Sequence, residues 1–212
     1  DQWDWEKVIS KEARTEKTLF DIVRRIYEVF KKTEDQVCSL YPHIERVLPE
    51  EIFFISTQEL EDLYPGLTPK ERESAIAKEK GAVFITKIGG LLASGIKHDG
   101  RSPDYDDWTL NGDIIFWYPV LNREIELSSM GIRVDEAALL KQLEESGCED
   151  RKGLEYHRLL LGGKLPYTIG GGIGQSRICM FFLRNAHIGE VQAGVWPEEM
   201  LEECAISGIT LL

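Results

Sequence analysis

The sequence predicts an α+β fold, one sheet with helices packed on it. Three observations lead there. Apolar residues recur at helical spacing in some stretches and as short strand-type runs in others. Helix caps and stops stand at the joins between these stretches. No internal repeat or low-complexity linker divides the 212 residues. Residues 1–212 are therefore expected to be a single domain with a sizeable core.

The elements follow in order. Leu19, Ile22, Ile26 and Phe30 fall at helical spacing among charged residues, which predicts a long amphipathic helix over roughly 11–40, ending before Pro42. Glu51-Ile52-Phe53-Phe54-Ile55 is a strand-type run, and Ser56 with Glu59 forms a capping box that opens a short helix ending before Pro65. Thr68 caps the next helix, Pro69 suits its first turn, Glu71 completes the box and Gly81 stops it. Ala82-Val83-Phe84-Ile85 reads as a buried strand broken by Gly89-Gly90, and a polar, aspartate-rich loop spans 94–107. Residues 114–118 and 125–128 are two strands of a hairpin, 135–145 a helix between Asp135 and Gly147, and 153–161 a further helix. A helix over 176–183 and a closing strand over 191–195 complete the domain.

Totals exclude several classes of partner. A net charge of −12 argues against a broad nucleic-acid surface, which needs lysine and arginine to displace phosphate counterions. No apolar run approaches bilayer-spanning length, so no membrane partner is expected. Cys38, Cys148, Cys179 and Cys204 are scattered without zinc-ligand spacing, which predicts reduced thiols and a cytoplasmic setting. The chain opens at Asp1 with no leader, and an upstream part is expected to be missing.

The most informative stretch is Gly170-Gly171-Gly172-Ile173-Gly174-Gln175-Ser176-Arg177. Glycine removes the side chain that stands between backbone and ligand. Arginine can stack on an aromatic base or grip a phosphate. The plainer alternative is a close-packed strand-to-helix turn with Arg177 in solvent.

In the hairpin, a turn over Tyr118–Leu121 with Pro119 second would set Asp113 opposite Glu126, about 4.5 to 5.5 Å apart at Cα. Carboxylates that close repel unless a divalent cation lies between them, which points to magnesium. A turn centred on Asn122 would separate them instead.

Arg101-Ser102-Pro103-Asp104-Tyr105-Asp106-Asp107-Trp108 offers a cation and carboxylates suited to the two charged ends of an amino acid, or else a solvated ion-paired loop. Asp1-Gln2-Trp3-Asp4-Trp5 carries polar groups and two indoles that either wall a ligand site or pack a strand. Glu126-Leu127-Ser128-Ser129-Met130-Gly131-Ile132-Arg133 joins a carboxylate to small residues and an arginine, which either binds an anion or bridges to Asp135. His43, His98, His157 and His187 form no spacing motif and read as structural.

These segments, with His187-Ile188-Gly189 and Gln192-Ala193-Gly194-Val195-Trp196-Pro197, together resemble the ammonia-dependent aspartate–ammonia ligases, or A-type asparagine synthetases, over nearly the whole chain. That family is similar in fold to the catalytic core of class II aminoacyl-tRNA synthetases, an antiparallel sheet flanked by helices. The resemblance implies that aspartate and ATP form β-aspartyl-adenylate and pyrophosphate, and that ammonia then displaces AMP to give asparagine. It also implies a homodimer.

Site roles follow from the same resemblance. Arg177 would stack on adenine over a floor of Gly172 and Gly174, while Asp113 and Glu126 would hold magnesium against the phosphates. Gln2, Asp4, Arg101, Asp106 and Arg133 would bind aspartate, with Ser129 beside the reacting carboxyl; Arg177, Ser129 and Asp106 are the catalytic candidates. Two departures from the family pattern are a missing upstream third, with its α-phosphate arginine, and the shortness of the link from Trp108 to Asn111. Rival readings are an aspartyl- or asparaginyl-tRNA synthetase and a non-catalytic amino-acid or nucleotide binder.

Overall fold

A computed structural model describes residues 1–212. Six strands form one sheet in the order β1-β6-β5-β4-β3-β2. They are β1 (Gln2–Val8), β2 (Phe53–Ser56), β3 (Ala82–Thr86), β4 (Asp106–Tyr118), β5 (Arg123–Arg133) and β6 (Thr168–Gly174). All neighbours are antiparallel except β2 and β3, which run parallel at one edge. That pair is joined by two helices, the crossover that parallel strands require.

One face of the sheet carries the main core. Helix α1 (Glu16–Leu40) starts where the Thr15 side chain accepts the Thr18 N–H and buries Leu19, Val23, Tyr27 and Phe30 along one stripe. These meet Ala82, Phe84, Ile114, Phe116 and Tyr118 from the sheet, and Ile178 and Phe181 of helix α6 (Gln175–Leu183), in one cluster. The Phe116 ring lies 5.6 Å from Phe30 and 5.2 Å from Phe181, within aromatic contact. Farther along α1, the buried Glu34 carboxylate accepts the Val47 N–H at 2.9 Å and the Arg184 guanidinium at 3.1 Å. It thereby ties the segment that leads into β2 to the helix.

The opposite face is covered over β2–β4 by α2 (Thr57–Leu63) and α3 (Pro69–Lys80), whose Leu60, Ile76 and Ala77 pack on Val83, Ile85 and Ile115. Both capping boxes are formed, Ser56 with Glu59 and Thr68 with Glu71, and Gly81 ends α3 at φ 78°. A third cluster joins Leu139 and Leu143 of α4 (Glu136–Glu145) to Val134 and to Leu160 of α5 (Glu155–Leu161). Helix α7 (Glu198–Ile206) closes the chain.

Several expectations need correction. Residues 191–195 form no strand, and α7 follows them. The run contains apolar residues but pairs with neither edge strand of the sheet, β1 or β2. The polar loop stops at Tyr105, since Asp106 already opens β4, and both hairpin strands are longer than predicted. The region before α5 begins as a 3-10 turn over Glu149–Gly153. The glycine run is not a turn: Gly170, Gly171, Gly172 and Gly174 lie within β6, and the helix starts directly after it.

The hairpin register also differs from the one that pairs the two carboxylates. Tyr118 faces Arg123 across a loop in which the Asn122 N–H bonds to Pro119 O at 3.2 Å and Asn122 takes φ 48°. Pro119 is thus the first residue of the turn, not the second. Asp113 faces Ser129, and Glu126 faces Ile115. Between Ile114↔Ser128 and Ile115↔Glu126, Leu127 is an extra residue, a β-bulge that resets the alternation of β5.

Candidate active site

Alternation along β1 and β6 builds the site. Trp5 packs toward the core on the α1 side, so Gln2, Asp4 and Glu6 point to the other face, opposite Gly174, Gly172 and Gly170. The two indoles therefore do not wall the ligand cleft; Trp5 packs on the core, while Trp3 is more than half exposed. A Cβ on Gly172 would collide with the Gln2 amide oxygen and stand 2.9 Å from Asp4 Oδ1. One on Gly170 would collide with Glu6 Oε2 and stand 2.6 Å from Arg133 Nη2. Bare backbone is what allows polar side chains from the neighbouring strands to lie across β6.

A cleft of about 340 Å³ opens on this floor. Gln2, Glu126, Ser129, Gly172, Gly174 and Arg177 line it, six of the residues singled out from the sequence. The bulge at Leu127 brings Glu126 and Ser129, three positions apart, to one cavity, whereas unbroken alternation would send them to opposite faces. Arg177, half exposed in the first turn of α6, donates to the Glu126 carbonyl at 2.9 Å and lies 3.4 Å from its carboxylate. No histidine, cysteine or lysine lines the cleft, so its serines have no adjacent base of those types to activate them.

Of the other predicted residues, Asp4 is exposed, while Arg101, Asp106, Asp113 and Arg133 form buried charged pairs behind the cleft. Arg133 binds Asp106 at 2.5 Å and Glu6 at 2.8 Å, and its guanidinium lies 4.0 Å from the centre of the Tyr105 ring. Burial alone would favour loss of the Arg133 proton, but its hydrogen bonds to Glu6 and Asp106, and their charges, outweigh it and hold the guanidinium protonated. Asp135 is not its partner; Arg14 takes that carboxylate at 3.3 Å. Arg101 pairs with Asp113, one of whose oxygens, Oδ1, is buried without a hydrogen-bond partner. Burial, reinforced by the Glu126 charge and opposed by Arg101, pushes the Asp113 carboxyl up to about 6.

Asp113 and Glu126 are thus electrostatically coupled without facing each other. The loop that bears Arg101 and Asp106 is pinned from several sides. Asp104 accepts Ser102 Oγ at 2.6 Å and Arg151 at 2.9 Å, and lies 3.1 Å from His157 Nε2. Gln142 donates to the carbonyls of Pro103 and Asp106. His98 and His157 are buried against carboxylates, in keeping with their structural reading.

Sequence reasoning missed Glu6, Ser128, Ser176 and Gln192. Glu6 was signalled by the same alternation that carries Gln2 and Asp4. Ser128 donates to the Gly172 carbonyl at 2.8 Å and lines the cleft beside the bulge. Ser176 and Gln192 bond to each other at the rim, a contact between residues far apart in pattern that no local signal marks.

Comparison with known proteins gives the family and the fold. A family model described as aspartate-ammonia ligase matches residues 1–208. The aspartate–ammonia ligases of Ruminiclostridium cellulolyticum and Clostridium perfringens strain SM101 are 65% and 68% identical over all 212 residues. The chain spans 63% of the length of each of these relatives. Among solved structures, an aspartyl-tRNA synthetase from Entamoeba histolytica matches with a TM-score of 0.60 at 17% identity, over 89% of this chain and 41% of that one. An asparaginyl-tRNA synthetase of the same organism, in complex with asparaginyl-adenylate, matches at 0.55 and 14%, over 90% and 45%. These structures share the fold, a largely antiparallel sheet flanked by helices. By its family match over residues 1–208, the chain belongs to the aspartate–ammonia ligase family.

Proposed function

We propose that the protein makes asparagine from aspartate, ATP and ammonia, releasing AMP and pyrophosphate. The observation that carries the reading is the glycine floor of β6. It leaves one cleft in which Gln2, Ser129, Glu126 and Arg177 converge, in a chain matched throughout by aspartate–ammonia ligases. In the first step a β-carboxylate oxygen of aspartate bonds to the α-phosphorus of ATP as the bond to pyrophosphate breaks. Ammonia then bonds to the β-carbonyl carbon, AMP leaves, and the surplus proton passes to solvent.

No enzyme nucleophile is needed, because the adenylate is already activated; what the chain supplies is alignment and charge. Arg177, whose side chain borders Gly174, would face the adenine ring. Gln2 and Ser129 border the place where the β-carboxyl would sit. Arg133, held charged by Glu6 and Asp106, and Asp4 across from Gly172 would receive the charged end of aspartate, with Arg101 fixing Asp113.

The donor set suits a magnesium ion. Asp113 has an unpartnered buried oxygen and Glu126 lies close enough to disfavour its ionisation, a conflict that a hard cation resolves. No cluster of three or more histidine, cysteine or acidic side chains is assembled. Magnesium is commonly held by one or two carboxylates, with phosphates and water completing its shell. Asp113 and Glu126 would hold it, and it would offset phosphate charge when bound.

Family membership also supports a homodimer and a cytoplasmic setting. No helix is long and apolar enough to cross a membrane. The test of the main reading is an assay with aspartate, ATP, magnesium and ammonium. Asparagine and AMP should form in equal amounts, whereas product that appears only when tRNA is added would overturn the assignment.

A further inference from the structure

The Asp106–Arg133 pair stands where the sheet is least regular. Asp106 faces Arg133 and Asn111 faces Gly131, so the residues from Asp107 to Leu110 lie opposite Ile132 alone. Past this break a single register pair joins β4 to β5, next to the bond from the Val134 N–H to the Tyr105 carbonyl at 2.9 Å. A ladder reduced to one pair needs a further tie to hold two strand ends in fixed relation.

Arg14, in the link from β1 to α1, supplies that tie, and its side chain is only 5% exposed. One terminal nitrogen donates to the Arg133 carbonyl. The other lies 3.0 Å from Oδ2 of Asp107, the residue after Asp106, and Nε lies 3.3 Å from Oδ2 of Asp135, the cap of α4. Both carboxylates use their second oxygen locally: Asp107 Oδ1 accepts the Thr109 N–H and hydroxyl, and Asp135 Oδ1 accepts the Ala138 N–H. From α4, Gln142 in turn holds the Asp106 carbonyl at 3.0 Å and the Trp108 N–H at 2.8 Å. One guanidinium therefore joins the end of β5, the start of β4 and the helix that steadies β4.

We propose that Arg14 is a positioning residue for the aspartate end of the site, setting Arg133 and Asp106 against each other from behind. The inference rests on the reading above that these two residues receive aspartate. Arg14 lines no part of the cleft, so it acts through the Arg133 backbone and Asp107. A guanidinium suits the task because its donors point in fixed directions, whereas an ammonium is a compact point charge. A buried ionic network adds little net stability over apolar packing of similar volume, so its consequence lies in where it holds the strand ends.

Calorimetric titration of the intact natural protein with aspartate, and separately with magnesium ATP, tests the assignment well below the melting temperature. Arg14→Lys should raise the Kd for aspartate about fivefold or more and that for ATP less than about twofold, within the coupling range of residues in one network. Asp107→Asn should weaken aspartate in the same direction, and the double variant should add little to either single one. If Arg14→Lys does not fold, Asp107→Asn alone decides. A role confined to folding would lower the number of binding sites and leave both Kd values unchanged. A wild type that bound no aspartate, or an Arg133→Ala variant that bound it unchanged, would overturn the reading beneath the proposal. Weakened binding in Arg133→Ala with unchanged binding in Arg14→Lys and Asp107→Asn would overturn the role of Arg14 alone.

Discussion

Arg133 lies across Gly170, so close that a Cβ at position 170 would stand 2.6 Å from its Nη2. The same relation recurs two residues along β6, where Gln2 and Asp4 occupy the space above Gly172. Between them, Gly171 turns the other way, and a Cβ there would stand 2.5 Å from Met130 Cβ in the core. One strand thus uses glycine for two purposes on its two faces: ligand-side clearance and tight packing.

Alanine at these adjacent positions should separate the two purposes. Gly171→Ala overpacks the core and should cost about 1–3 kcal/mol of stability in urea denaturation. Gly172→Ala displaces the Gln2 amide on the open face. It should leave stability nearly unchanged and raise the KM for aspartate about tenfold, equivalent to ~1.4 kcal/mol of lost binding. Equal stability losses in both variants would contradict this division.

Arg177→Ala and Glu126→Gln should each abolish aspartate-dependent ATP–pyrophosphate exchange while the melting temperature stays close to that of the wild type. Both side chains are substantially exposed, and their mutual pair contributes little to folding. Arg177→Lys should not restore exchange, because an ammonium cannot stack on a base as a guanidinium does. Wild-type exchange in either loss variant would remove these residues from the reaction.

Most elements were readable because their signals are local. Thr68, Pro69, Glu71 and Gly81 delimit α3 without reference to the rest of the molecule, and the helix forms between them. The Gly170–Arg177 stretch likewise announced backbone close to other groups. Its being a strand was not legible, because glycine is disfavoured in strands and only pairing with β1 and β5 holds it there. The hairpin register failed for two reasons: the turn closes between Pro119 and Asn122, one residue later than proline preference suggests, and one extra residue at Leu127 depends on tertiary packing and leaves no mark in the alternation. The supposed strand at 191–195 has a suitable composition but pairs with neither edge of the sheet. In the site, residues on one strand face could be grouped by counting, but the Arg133–Asp106 and Arg101–Asp113 pairs join separate segments and required the fold.

Asp113 should give the ligand-free protein an unusual pH dependence. Burial raises its carboxyl to about 6 from an ordinary value of 3.8, so the folded state binds the proton more tightly than the unfolded state. This contribution to stability is fully present below the unfolded value and is lost as pH rises through about 6. Between pH 4 and 7 the wild type should therefore lose on the order of 2 kcal/mol relative to Asp113→Asn, which cannot titrate. Urea denaturation of both proteins at several pH values measures the difference; parallel curves would mean that Asp113 is ionised throughout.

Asp104 should control the loop that presents Tyr105 and Asp106. Its carboxylate gathers Ser102, Arg151 and His157, and Asp106 two residues later holds Arg133. Asp104→Ala leaves the buried His157 Nε2 and the Arg151 head without their acceptor, at a cost of about 1–3 kcal/mol. Asp104→Asn keeps one acceptor oxygen and should lose less. If the loop positions Arg133 through Asp106, Asp104→Ala should also raise the KM for aspartate several-fold while the KM for ATP moves less. Substrate titrations well below the melting temperature distinguish this from simple destabilisation, which would lower the active fraction and leave both KM values unchanged.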